Sequence, residues 1–263
     1  MIAKPLPGSD AEIGGPEGSY FGGKGAAGTY QTLINQIPPH DVYVEPFLGY
    51  GSILRKKRPA SLSIGCELDP ETLSAWAGAR LPGLRIYRTD GIAWLRHRFD
   101  LDLVPLARAT RPTAARSSPP NPSAGAALRT FLFVDPPYPH STRSSDRYRF
   151  ELTDERHREL LQVLRAVDAM VMICSYPNEL YAELLGDWRT FTYQNSTRGG
   201  PVTEQAWCNY PSPIELHDTR YVGGNRRERE RIRRRCRNWK RELDRLPPLE
   251  RQAILDEING EGT

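Results

Sequence analysis

The chain has 263 residues, 38% hydrophobic and 26% charged, which suits one substantial α/β domain with appendages and is too short for several ordinary domains. Thirty-six basic residues against 32 acidic ones leave a net charge of only +4, so charge points to a partner only through its distribution along the chain. Cys66, Cys174, Cys208 and Cys236 are scattered with no C-x-x-C pair, which argues against a zinc knuckle or a secreted disulfide framework and fits a reducing cytoplasm.

In chain order, residues 1–19 are rich in Gly and Pro and read as a flexible N-terminus. They hold no apolar run, and the longest one in the chain, at 169–174, is far below the roughly 18 residues of a membrane span, so a soluble, untargeted protein is expected. Strand-like runs follow at 41–45, 61–66, 84–87, 130–134 and 169–174. Helical patterns lie between several of them, such as 153–167, where Leu160, Leu161, Leu164 and Val167 share a face and Thr153, Asp154 and Glu155 open the helix. Residues 107–125 lack large apolar side chains and read as a Pro/Arg-rich insertion. Runs at 188–194 and 203–210 predict a hairpin joined by a loop over 195–202. The alternation implies a mostly parallel Rossmann-like α/β sheet with an antiparallel hairpin at its end, and a ligand site at the carboxyl ends of the strands.

Residues 218–263 read as a basic helical extension of a domain spanning 20–217. From Asp218 to Arg245 there are 12 basic and 5 acidic residues, leaving 24 basic against 27 acidic elsewhere. Arginine dominates the segment, which favours a phosphate contact over a merely solvated face. Its sparse apolar residues, Ile232, Trp239, Leu243 and Leu246, predict packing by one narrow stripe. Pro247 and Pro248 end that helix, and a short one follows to Ile258.

Chemistry concentrates at the strand ends. After the first strand comes Glu45-Pro46-Phe47-Leu48-Gly49-Tyr50-Gly51-Ser52, whose two glycines would let a cofactor approach the backbone or serve only a tight turn. Leu54 stands where a dinucleotide fingerprint needs its third glycine, which disfavours a nicotinamide oxidoreductase. Glu67 ends the second strand, where a carboxylate can accept ribose hydroxyls or sit as a charge before a helix. Asp90 follows the third strand and could meet an adenine ring or cap the next helix. The most specific motif is Asp135-Pro136-Pro137-Tyr138, directly after the fourth strand. Its prolines forbid a regular helix and leave the Pro136 carbonyl beside the Asp135 carboxylate, two acceptors for one amino group, with Tyr138 as a stacking face.

In this order and spacing, together with Tyr20-Phe21-Gly22-Gly23-Lys24-Gly25, these motifs resemble the Dam-like (D12-class) DNA N6-adenine methyltransferases, especially phage-encoded members, over residues 20 to about 210. The resemblance implies an S-adenosylmethionine-dependent enzyme of the cytoplasm of a bacterium or phage-infected host. It would act on double-stranded DNA without a metal or membrane, with a cognate restriction nuclease as a further partner. It places Tyr20 and Lys24 at the methionine end of the cofactor with Phe47, Gly49 and Gly51 beside it. Glu67 falls on the ribose, Asp90 on the cofactor's adenine, and Asp135, Pro136 and Tyr138 around the target amine, with Asp135 also bordering the cofactor. The family's helical recognition region is replaced here by the Arg- and Pro-rich interval, which puts GATC recognition in doubt. DNA contacts are therefore expected from Arg143, Arg147 and Arg149, from Arg198, and from the tail through Arg231, Arg234 and Arg235. RNA or cytosine N4 as acceptor, and an inactive DNA-binding protein on the same sheet, stand as alternatives. No cysteine has the setting of a C5-cytosine methylase nucleophile.

Overall fold

The computed structural model describes residues 23–101, 128–142, 149–197 and 200–260. They form two compact units, one ending at Asp218 and one starting at Thr219. The N-terminal segment, the 107–125 insertion, Tyr20, Arg143, Arg147 and Arg198 lie outside the described residues.

The first unit is a seven-stranded sheet. Its strands are β1 (Val42–Glu45), β2 (Leu62–Glu67), β3 (Leu84–Arg88), β4 (Thr130–Val134), β5 (Met170–Ser175), β6 (Arg189–Thr197) and β7 (Gly200–Cys208). Their order is β3-β2-β1-β4-β5-β7-β6. The first five are parallel, and β7 pairs antiparallel with both β5 and β6. All four residues of β1 and the last four of β4 are buried, as expected for central strands covered on both faces. The chain order reverses between β1 and β4, so a crevice opens outside their carboxyl ends.

Short helices α1 (Thr29–Ile34), α2 (Ser52–Lys56), α3 (Pro70–Ser74), α4 (Gly91–Arg98) and α6 (Glu179–Leu184) accompany the longer α5 (Asp154–Ala166). Thr153 caps α5 by accepting from the Arg156 N–H, and Leu160, Leu161, Val163 and Leu164 are fully buried along one face. Each such leucine contributes about 1.5–3 kcal/mol of burial. His157 shares that face, and its Nδ1 lies 3.1 Å from the Tyr181 hydroxyl.

The hairpin departs from expectation. Of residues 195–202, read as a loop, 195–197 and 200–202 continue the ladder, with Asn195 opposite Val202 and Thr197 opposite Gly200. The run of small polar residues resembles a turn, yet Asn195 is 1% exposed and its amide is satisfied within the sheet. In the second unit, α7 (Arg226–Arg245) and α8 (Pro248–Asn259) follow one another, and Asn225 caps α7 through the Glu228 N–H. The packing stripe expected on α7 is not buried. None of its residues is, and Trp239 is 65% exposed. No described helix is long and apolar enough to cross a membrane.

Candidate active site

A cleft of about 430 Å³ lies at the carboxyl ends of β1, β2 and β4, within the usual size range of ligand pockets. Its lining includes Lys24, Phe47, Gly49, Gly51, Glu67, Asp90, Asp135 and Pro136, so strand-end motifs far apart in sequence meet around one space.

The wall after β1 is a tight turn held from behind. Glu67 accepts from the Gly49 N–H at 2.8 Å with one oxygen and from the Asp69 N–H at 2.9 Å with the other. The Gly49 carbonyl accepts from the Trp76 indole at 2.8 Å. Glu67 therefore locks two loops together, while Asp69 is the residue that caps α3. Gly51 has a φ of 56°, and a Cβ there would lie 2.5 Å from the Trp76 ring. Of the two readings of this glycine, room for a cofactor or a tight turn, the fold already requires the second, and Gly51→Val would disturb the turn before it touched any ligand.

Gly91 went unnoticed in the sequence. Its Cα sits so close to the loop after β1 that an added Cβ would be 2.0 Å from the Pro46 carbonyl oxygen. Gly91→Ala must push backbone against backbone, and we expect a loss of about 1–3 kcal/mol. Thermal unfolding is the check, and an unchanged melting temperature would show that the two loops can part freely.

Asp90 caps α4 by accepting from the Ala93 N–H at 2.8 Å and pairs with Arg156 at 2.7 Å. Of the two roles open to it, the cap is the one its geometry displays, although the residue also borders the cleft.

At the end of β4, both Asp135 oxygens accept from Lys24 Nζ, at 2.7 and 2.8 Å. Lys24 is 2% exposed and lies 3.4 Å from Glu204 on its other side. Burial alone would lower the Lys24 pKa, but the Asp135 and Glu204 carboxylates hold it above the ordinary lysine value. The Asp135 carboxyl is pushed up to about 6 by burial, with Lys24 drawing it down and Glu204 pushing it further up. Lys24 was expected to grip the methionine end of a cofactor. In the structure its ammonium instead faces two carboxylates of the protein, because a lysine this deeply buried requires counter-charge. The Pro136 carbonyl accepts no hydrogen bond among the described residues.

Tyr138 also departs from expectation. Its ring is 3% exposed and packs edge-on to Tyr176, its hydroxyl donates to Glu204 at 2.8 Å, and it does not line the cleft. This side chain points inward, tied to the terminal hairpin through Glu204. Phe47, Tyr50 and Phe150 are among the rings that do line the cleft, and Phe150 is 45% exposed. Arg149, expected on DNA, pairs with Asp69 at 3.3 Å and with Glu71 at 2.8 Å at the cleft edge. On α7, Arg231 lies 3.7 Å from Glu228, whereas Arg234 and Arg235 are exposed and form no ion pair among the described residues.

Strand order, the reversal point and the cleft together define a Rossmann-like α/β sheet. No protein-family model matches the chain, and no curated protein matches it in sequence. Among solved structures it is similar to human methyltransferase-like protein 13 in complex with SAH. That match has 15% identity, covers 78% of this chain and 86% of that one, and has a TM-score of 0.37. An rRNA methylase from Streptococcus thermophilus is similar at 13% identity, over 68% of this chain and 92% of that one, with a TM-score of 0.36. Likeness at this level carries no conclusion about activity.

Proposed function

We propose that this protein is an S-adenosylmethionine-dependent DNA methyltransferase that methylates N6 of a flipped-out adenine. The observation that carries the reading is the placement of Asp135 and of the Pro136 carbonyl, which accepts no hydrogen bond among the described residues, on the same cleft as the Gly49–Gly51 turn and Glu67. Two acceptors for an amine thus share one space with the backbone turn and the carboxylate of a nucleoside site.

The donor set suits that cofactor. Glu67 lines the cleft with two backbone N–H bonds already fixing its carboxylate, which leaves lone pairs for ribose hydroxyls. When bound, S-adenosylmethionine supplies an electrophilic methyl group on a sulfonium. The exocyclic amine of adenine is a poor nucleophile because its lone pair is delocalised into the ring. Hydrogen bonds from that amine to Asp135 and to the Pro136 carbonyl favour a more tetrahedral nitrogen and aim it at the methyl. Flipping the base from a duplex costs a few kcal/mol. Stacking offsets part of that cost, and with Tyr138 buried it falls to rings that face the cleft. The nucleoside released from treated DNA, identified by mass spectrometry after tritiated-methyl transfer, tests the reading. N6-methyladenine supports it, and label in RNA or on cytosine N4 replaces the acceptor.

The pH dependence follows from Asp135. Only the ionised carboxylate accepts both from Lys24 and from the amine, and this group's pKa is raised to about 6. Its ionised form accumulates above that value and is lost below it. The turnover number is therefore expected to rise through about pH 6 and level off above it. A flat profile between about pH 5 and 8 would remove Asp135 from the chemical step.

A further inference from the structure

Glu204, on the inner face of β7, is an unexpected charge. It is 1% exposed, and a buried carboxylate is costly unless its lone pairs are filled. Here they are filled from three directions. Tyr138 and Tyr193 each donate a hydroxyl to its Oε2 at 2.8 Å, Asn195 Nδ2 donates to Oε1 at 2.8 Å, and Lys24 Nζ stands 3.4 Å from Oε2. An apolar side chain would fill the same space between the strands at lower electrostatic cost. What the carboxylate adds is a tie between three separate segments: the loop before α1, the turn after β4, and the terminal hairpin.

The geometry points to Glu204 as a positioning residue for Asp135: by holding the Tyr138 hydroxyl and sharing the Lys24 ammonium, it fixes the turn after β4 and leaves Asp135 oriented toward the cleft to accept the substrate amine. The inference rests on the reading of Asp135 as that acceptor. Without the second carboxylate, Lys24 would lean more strongly on Asp135, and its ammonium would compete harder with the incoming amine for the Asp135 oxygens. Among the described residues, the titratable groups around Asp135 are Lys24, Glu204, Tyr138, Tyr193, Tyr181 and Cys174, with Tyr43 and Glu45 on the neighbouring strand. Of these, Lys24 and Glu204 are the charges in ion-pair range of one another or of Asp135.

Glu204→Gln keeps the shape and, with its oxygen toward the tyrosines, both hydroxyl bonds, while it turns an NH2 toward the Asn195 amide and removes the charge. The full-length variant should fold, bind S-adenosylmethionine within about two-fold of the parent, and lose about ten-fold in turnover. Its acid limb should also move to lower pH, because the Glu204 charge is one of the groups that raise the Asp135 carboxyl. A role confined to hairpin stability would leave that limb in place. Parental turnover with a parental acid limb overturns the inference. If Glu204→Gln does not fold, Asn195→Ala, which removes the donor to Oε1 together with an acceptor of the Thr29 hydroxyl, must show a displaced limb in a folded protein, and a parental limb there overturns the inference as well. Failure of the underlying reading looks different: the unmodified protein transfers no methyl to DNA, or Asp135→Asn stays active, whatever the Glu204 variant does.

Discussion

Asp135→Asn is expected to lower methyl transfer by about 10²–10³-fold while S-adenosylmethionine affinity stays within a few-fold, because the lost interaction belongs to the reacting amine and not to the cofactor. The amide has one acceptor oxygen and one NH2 group. In the structure both carboxylate oxygens already accept from Lys24. Since both positions face the lysine, an amide must turn its NH2 toward one of its donors. Either its NH2 meets the ammonium, donor against donor, or it meets the substrate amine with the same result. Asn is preferred to Ala for this test because Ala would take away the closer of the two carboxylates that flank Lys24 among the described residues, and breaking a buried ion pair costs about 3–5 kcal/mol. Melting temperature, calorimetric binding of the cofactor and tritiated-methyl transfer separate the effects. A folded Asp135→Asn protein with near-normal turnover would sink the proposed chemistry.

The strands were the most legible part of the sequence. The runs ending in Glu45, Cys66 and Val134 are short, apolar and bounded by turn residues, and the observed strands match them within a residue at either end. The cleft lining was legible for the same reason, since strand ends in a parallel sheet converge at one edge and a motif read locally can be placed without knowing its neighbours. The partners of those motifs were not legible. Lys24 and Asp135 are 111 residues apart, and Tyr138 and Glu204 are 66 apart, so their pairing depends on the sheet order and not on any local pattern. Glu204 lies between Thr203 and Gln205 in a polar run, and nothing nearby marks it as buried. Asn195 was misread as part of a turn because its composition is that of a turn, whereas its side chain satisfies the carboxylate opposite. Tyr138 was read as open to a base because the motif places it beside Asp135; in the fold it points inward, tied to the terminal hairpin through Glu204. Gly91 lacked any signal, since the close approach of Pro46 exists only in the folded chain.

Replacing Arg231, Arg234 and Arg235 with Gln is expected to reduce the slope of log DNA affinity against log salt by about two to three units, each lost phosphate contact lowering it by roughly 0.9. The helix that carries them has 20 residues and so extends for about 30 Å, long enough to follow a duplex backbone over several phosphates. Many of its charges are matched internally: Arg226 with Glu230, Lys240 with Asp244, Arg245 with Glu242. Arg234 and Arg235 are exposed without such a match among the described residues, and Arg231 has a contact of 3.7 Å with Glu228 at the edge of ion-pair range. Exposed pairs of that kind contribute about 0–1 kcal/mol, so the guanidinium remains available to a phosphate. Phosphate contacts position a protein and carry no direct sequence information. The triple variant should therefore weaken binding to methylated-site and unrelated duplexes about equally, leave the methylated sequence unchanged, and alter turnover only when DNA is below saturation. Binding titrations at several salt concentrations, on both kinds of duplex, measure this. An unchanged slope would mean that α7 does not engage the DNA backbone and that its charge serves solvation or a different partner. A variant that lost affinity for its own site alone would mean that these arginines read bases.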